Sequence, residues 1–337
     1  MTRARDLSND EANGGGATPP FVAGKNQCIN GAFNVWQRGT SFSSNVYTAD
    51  RWTTQTNKTL TVSQQAFTAG TAPVAGYEGT FFLRQTYSAD GSYGALQTKL
   101  EDVRLFAGQT ITFSYWAKAD ATYSNTPSIN QNFGSGGSSG VTTNGTTHNI
   151  TTTWARYSST ITVPSISGKT IGTSNFFLVQ PILIESSGAR TIDIWGVQIE
   201  SGSVATPFTP AGGGFPGAEL ALCQRYYWRA NSAGAVYTIF SFGYTDSTTT
   251  ALITTPVPSY MRVFPTSVDY ANLAFQEAQG GIFTFAAISL NGGSGATASN
   301  NNIQMQITGA SGMTIGRPGR LLSNGVTNGH LGFSAEL

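Results

Sequence analysis

From Thr110 to Ala117 the chain reads TITFSYWA, placing Ile111, Phe113 and Tyr115 on one side and Thr112, Ser114 and Trp116 on the other. Only an extended strand turns successive side chains to opposite faces, so this period of two predicts β structure. The period returns from Tyr157 to Val163, where Tyr157, Ser159, Ile161 and Val163 share a face before Pro164 closes the segment. Phe176 to Ile184 is apolar on both faces up to Pro181, the pattern of a strand buried in a sandwich with an edge or bulge at the proline. Gly- and Ser-rich loops such as GSGGSSG, Gly134 to Gly140, separate these segments. Several strands at such spacing predict a jelly-roll β-sandwich over residues 25–210.

Composition narrows the functional classes. Only 10% of the 337 residues are charged, and 18 basic against 17 acidic side chains leave a net charge of +1. No face is basic enough to hold a phosphate backbone, which excludes nucleic acid as the main partner. The apolar runs fall far short of the roughly 20 residues of a membrane-spanning helix, so membrane insertion is not expected. MTRARDLSND at the start lacks the apolar stretch of a signal peptide, which predicts synthesis in a cytoplasm and no Sec export. Cys28 and Cys223 lie far apart without CxxC spacing, so they are expected to be free, buried core residues, with no metal or cofactor implied.

Residues 1–24 carry almost no large apolar side chain before Phe21 and are expected to form an extended arm. The glycines and Pro216 of PAGGGFPG break the β pattern ahead of Glu219 to Arg229, a run of good helix formers. This predicts a Gly-rich linker and one short helix over 211–230. Leu220, Cys223 and Tyr227 would share one side of that helix, while Leu222, Tyr226 and Trp228 cover much of the rest, so burial between domains or subunits is expected. Alternation resumes with VYTIFSF, continues in Gly281 to Leu290, and ends in Ile303, Met305 and Ile307. Residues 231–337 are therefore predicted to be a smaller C-terminal antiparallel β domain, with Asn291 to Asn302 as a loop. The fold class is all-β, a jelly roll followed by a helix and this second domain.

Catalytic motifs fail on context. Gly136 to Gly140 matches GxSxG, but no strand and helix flank it and only His148 and His330 exist as bases. Gly212 to Gly217 matches GxGxxG without the βαβ unit or the later acidic residue. A glycosidase needs two carboxylates at set spacing, and the sandwich acids lie at expected strand ends and turns without a visible pairing. Asp193 and Glu200 suggest oxygen ligands for calcium, yet no DxDxDG loop is present. The chain is not expected to be an enzyme. Aromatics, at 12%, offer sugar-stacking faces instead. Trp36, Trp52, Trp116, Trp154 and Trp195 read mostly as core, whereas Tyr87 and Tyr93 flank a turn and are the candidate carbohydrate-binding residues.

NGAFNVWQRGTSF (Asn30 to Phe42), YTADRW (Tyr47 to Trp52), FSYWAKAD (Phe113 to Asp120), QNFGSGGS (Gln131 to Ser138), IDIWGVQIESGSVATPF (Ile192 to Phe208) and ELALCQRYYWR (Glu219 to Arg229) follow in that order. This series resembles a β-sandwich module of bacteriophage tail fibres and minor tail proteins, and the N-terminal segment is similar to the short arms that fix fibres to the virion. The resemblance implies a virion structural protein made in the host cytoplasm, with a carbohydrate-binding-module-like jelly roll. It implies a homotrimer with a helix that helps three chains associate, and the nearly all-round apolar surface of that helix makes Leu220, Cys223 and Tyr227 the candidate interface residues. The arm would bind phage tail proteins through Arg3, Arg5 and Phe21, and the distal β domains would contact a host cell-surface glycan. A stand-alone lectin-like module and a polysaccharide depolymerase are the competing readings. Val236 to Leu337 carries no recognised motif.

Overall fold

The alternating segments become strands of facing antiparallel sheets in a computed structural model that describes residues 24–74, 77–291 and 299–337. Arg3, Arg5, Phe21 and residues 292–298 of the Gly-rich loop lie outside the described residues. The first half comprises β1 (Ser41–Phe42), β2 (Trp52–Thr56), β3 (Leu60–Ala66), β4 (Phe81–Tyr87), β5 (Gly94–Leu100), β6 (Thr110–Ala119) and β7 (Tyr123–Asn125). It continues through β8 (Ser128–Asn132), β9 (Val141–Asn144), β10 (His148–Ile150), β11 (Ala155–Thr162), β12 (Phe176–Ile184) and β13 (Arg190–Ser201). One sheet runs β1-β3-β4-β13-β6-β11, the other β2-β5-β12-β8-β9, and β7 pairs with β10. Neighbours distant in sequence, such as β13 between β4 and β6, are the crossovers of the jelly roll that the sequence predicts.

Ile111, Phe113 and Tyr115 are fully buried between the two sheets with Ile161, Phe177 and Val179. Burial of such side chains is worth about 1.5–3 kcal/mol each, which is why one face of β6 fixes its register. β12 is a central strand, paired with both β5 and β8, and its register shifts between Val179 and Ile182. Pro181 has no amide hydrogen for the ladder, and the bulge absorbs that gap. A second bulge interrupts β13 between Trp195 and Gln198. Gly196 in that bulge has φ +66°, and a Cβ there would lie 2.7 Å from the Trp116 ring. Glycine thus lets Trp116 and Trp195 pack together, 5.4 Å between ring centroids.

The two outer faces of the sandwich differ. Over the six-stranded sheet, Trp116, Trp195 and Phe82 are covered by Phe67, Tyr77, Trp154 and Phe208, a second apolar cluster outside the main core. The outer face of the five-stranded sheet carries mainly polar side chains, with Phe176 and Leu178 among them. Trp52, Trp116 and Trp195 are buried as expected, and Cys28 and Cys223 are free and buried.

The helix, α1 (Pro216–Gln224), is shorter and earlier than the sequence predicts. Proline at its first turn costs no hydrogen bond, so it starts the helix, and Glu219 sits inside the first turn with its carboxylate accepting the Asn30 and Gly212 amides. The chain leaves the helix after Gln224 because Tyr227 onward pairs with a distant strand, a tertiary contact that overrides local helix propensity. The second half contains β14 (Tyr227–Asn231), β15 (Ile239–Thr245), β16 (Thr250–Pro256), β17 (Ser267–Ala271) and β18 (Leu273–Glu277). It ends with β19 (Ile282–Phe283), β20 (Ala287–Leu290), β21 (Asn302–Thr308), β22 (Pro318–Ser323) and β23 (His330–Ser334). These form a three-stranded sheet β14-β23-β17 and a seven-stranded sheet β19-β18-β22-β15-β16-β21-β20, with Ile303, Met305 and Ile307 in their shared core. Among the described residues, no helix is long and apolar enough to cross a membrane.

Two arginines, the buried Arg51 and the partly buried Arg38, join the halves. The Arg51 guanidinium pairs with Glu336 and lies 3.4 Å from the centre of the Tyr226 ring. Arg38 lies 3.4 Å from the centre of the Tyr227 ring and 3.3 Å from Glu336. Tyr47, its hydroxyl donating to the Leu337 oxygen at 2.9 Å, is pushed up to about 12 by burial, with Glu336 adding to the shift.

Candidate functional site

Because side chains alternate along a strand, the sequence that buries Leu96, Thr98 and Leu100 of β5 must turn Gln97 and Lys99 outward. The same rule aims Gln55 of β2, Phe176, Leu178 and Gln180 of β12, and Asn130 and Asn132 of β8 out of the five-stranded sheet. Gln97 Nε2 donates to Gln180 Oε1 at 2.8 Å and to Gln55 Oε1 at 3.4 Å, and Gln180 Nε2 donates to Ser128 Oγ at 3.3 Å. A chain of three neutral amides therefore crosses β2, β5 and β12 and ends on the Ser128 hydroxyl of β8. Next to it, Asn130 Nδ2 donates to Thr142 Oγ1 of β9 at 2.8 Å.

This surface is a shallow trough of two adjoining depressions that share Asn130 and Leu178. One, about 410 Å³, holds Gln55, Lys99, Asn132 and Phe176. The other, about 340 Å³, holds Tyr93, Asn144 and Glu185. Amides both donate and accept, so a row of them matches a ligand that offers hydroxyls without charge. Phe176 and Tyr93 add ring faces at the two ends. Lys99 does not offer a free charge to the trough: its ammonium donates to the Leu337 oxygen at 2.7 Å and lies 4.7 Å from the Phe176 centroid. Burial, and then Arg51, hold its pKa below the usual lysine value. Burial, followed by the Glu185 charge, raises the Tyr93 phenol.

The sequence-predicted sites divide. Tyr93 borders the trough, but Tyr87 is 1% exposed and lies in the sandwich core, its hydroxyl accepting Gln85 Nε2 at 2.7 Å. Tyr87 closes a strand whose buried face includes it, so it offers no ring to a ligand. Cys223 and Tyr227 are buried within the chain, and Tyr227 belongs to β14, where its hydroxyl bonds Asp269. Both side chains are closed off within the single chain, and the helix ends before Tyr227. Leu220 alone of the three is exposed, at 37%, near Phe215 at 75%. Asp193 is held by Arg84 at 2.7 Å and Lys118 at 3.5 Å, and Glu200 by Gln198, Thr206 and, at 3.8 Å, Lys25, so both carboxylates have partners within the chain. Ser138 Oγ accepts the Thr170 amide, while His148 faces Ser159 at 3.2 Å, so the GxSxG match assembles no dyad. Among the described residues, no group of three or more His, Cys, Asp or Glu could hold a metal ion.

Sequence reasoning missed the amide chain because Gln55, Gln97, Gln180 and Asn130 lie in four separate strands. The available signal was the alternation itself, with a glutamine between Leu96 and Thr98 and another beside the Pro181 bulge.

No protein-family model and no curated protein matches this chain. Among solved structures it is similar to the enzymatically active domain of bacteriophage CBA120 tailspike protein 4, at TM-score 0.35 and 16% identity over 52% of this chain and 21% of that one. It is also similar to the CBM22-1 xylan-binding domain of Paenibacillus barcinonensis Xyn10C, at TM-score 0.32 and 14% identity over 49% and 94% of the two chains. A third likeness is to the Stig cyclase Fisc of Fischerella sp. TAU, at TM-score 0.35 and 11% identity over 55% and 100%. Likenesses at this level assign neither ligand nor role, which must come from the trough.

Proposed function

We propose that this chain is a non-catalytic glycan-binding protein whose five-stranded sheet holds a neutral polysaccharide chain. The amide row Gln55–Gln97–Gln180 carries the reading, because it spans three strands on an outer face that lacks the aromatic cover of the opposite sheet. An open trough accepts the middle of a long chain, whereas a closed pocket would take only an end. Glu185 is the single carboxylate lining the trough among the described residues, so the pair that glycoside hydrolysis needs is missing there. The resemblance of Asn30 to Arg229 to phage fibre modules supports placing this activity on a virion tail, with residues 1–24 as the attachment arm. Homotrimer formation in that setting would use Phe215 and Leu220, the exposed apolar residues around α1.

The test is affinity electrophoresis of the purified chain through gels containing neutral xylans, glucans or galactans. Retardation by at least one polymer, reduced tenfold or more in affinity by Gln97→Ala with Gln55→Ala, is the expected result. Retardation indifferent to that pair removes the trough, and release of new reducing ends makes the protein a depolymerase.

A further inference from the structure

The second domain carries an open sheet face of different chemistry. In β15, Ser241 and Thr245 turn inward and are buried, so Phe242 and Tyr244 turn outward, 66% and 50% exposed. Isolated exposed aromatics are ordinary, but two on successive outward positions of a central strand form a platform. Across the sheet Phe242 lies opposite Arg320 of β22, and Arg320 lies opposite Gln276 of β18. All three line a groove of about 490 Å³. On the other side of β15, Thr254 of β16 and Gln304 of β21 continue the same row with a hydroxyl and an amide.

Arg320 supplies the charge. Its Nε donates to Gln276 Oε1 at 2.9 Å, which fixes the plane of the guanidinium, and among the described residues no acceptor is placed on either Nη. The carboxylate nearest in the groove, Glu277, is turned inward with its side chain 1% exposed. It accepts from Thr245 Oγ1 and the Thr314 amide and lies 3.4 Å from Arg317, so it leaves Arg320 unneutralised. Beneath the platform, Gly319 has no Cβ because the Phe275 ring occupies that space, 2.3 Å from where the atom would be. The core thus braces the strand that carries Arg320.

From this juxtaposition we propose that the outer face of β18-β22-β15 is a second glycan site, specific for a sugar bearing a carboxylate. The carboxylate would bridge the two free Nη groups of Arg320 in the bidentate geometry guanidinium favours, while the ring of the same or the next sugar lies on Phe242 or Tyr244. The adjoining polar row argues for a hydroxyl-rich ligand over a second copy of the chain, whose interface would need an apolar centre. This extends the glycan-binding reading to the second domain and rests on separate residues, so either site can fail alone.

The experiment is a glycan array of neutral, uronic-acid and sialic-acid oligosaccharides, probed with the whole chain, Arg320→Ala, Phe242→Ala and the trough pair Gln97→Ala with Gln55→Ala. Each variant is first checked for an unchanged melting temperature and for sedimentation. The expected outcome is retention of at least one acidic oligosaccharide, weakened tenfold or more by Arg320→Ala and by Phe242→Ala, reduced by added salt, and untouched by the trough pair. Retention of neutral sugars only, or acidic binding that survives Arg320→Ala, overturns the site. Self-association of the parent chain that Phe242→Ala abolishes overturns it as well, because the face would then join two copies.

Discussion

Tyr87 and Tyr93 border one turn, yet only Tyr93 reaches the trough, and the difference is a matter of which sheet each residue enters. Tyr87 ends β4 and points between the sheets, whereas Tyr93 precedes β5 and stays half exposed. Alternation tells which residues share a face, but a turn resets the count, so sequence alone could not say which tyrosine faces water. The prediction separates them by two readouts. Tyr87→Ala should cost about 3–5 kcal/mol in unfolding free energy, as large core truncations do, while glycan affinity of the folded fraction is kept. Tyr93→Ala should change stability by no more than about 0.5 kcal/mol and weaken binding to the polymer that the trough retains. Denaturant melts and affinity electrophoresis on both variants decide the matter. The amides were harder to read than the tyrosines, because glutamine is an ordinary surface residue until three of them meet across strands.

The strands and the presence of one short helix were legible, but the ends of that helix were not. Thr110 to Ala117 reads correctly because one period governs both its pairing and its burial. Glu219 to Arg229 misleads because Arg225 to Arg229 contains no helix breaker, and only pairing of Tyr227–Asn231 with β23 forces the chain to extend. That three-stranded sheet has its own titration. Asp269 of β17 accepts from Tyr227 of β14 and lies 3.1 Å from His330 of β23. Burial pushes the Asp269 carboxyl up, but the bonds from Tyr227 and His330, together with the His330 and Arg229 charges, outweigh it and hold the group below the ordinary aspartate value. The unfolded chain therefore takes up the proton first on acidification. The stability Asp269 adds is present above the ordinary carboxylate range, about pH 4, and is lost as pH falls through its lower folded value. Urea midpoints measured from neutral pH down to about pH 3 should fall for the parent chain and fall less steeply for Asp269→Asn. Equal slopes would mean that the three strands are joined without help from this charge.

At the scale of the molecule, the all-β succession of a jelly roll, a short helix and further β-sheets was visible in composition and periodicity, while the junction was invisible. Arg38 and Arg51 look like ordinary loop charges in the sequence, yet Arg51 is fully buried against Tyr226 and Glu336. Breaking a buried pair by removing one partner typically costs about 3–5 kcal/mol, because the other charge stays behind without compensation. Glu336→Ala should therefore lower the unfolding temperature, and calorimetry should resolve two transitions where the parent chain shows one. A single transition at an unchanged temperature would show that apolar contacts alone hold the halves together. Arg51 and Glu336 stand 285 positions apart. At ribosomal speeds of roughly 5–20 residues per second, the arginine waits on the order of 15–60 s for its partner to be synthesised. During that interval the nascent sandwich carries an uncompensated cation and an uncovered flank, so the first half is synthesised well before the contact that closes it.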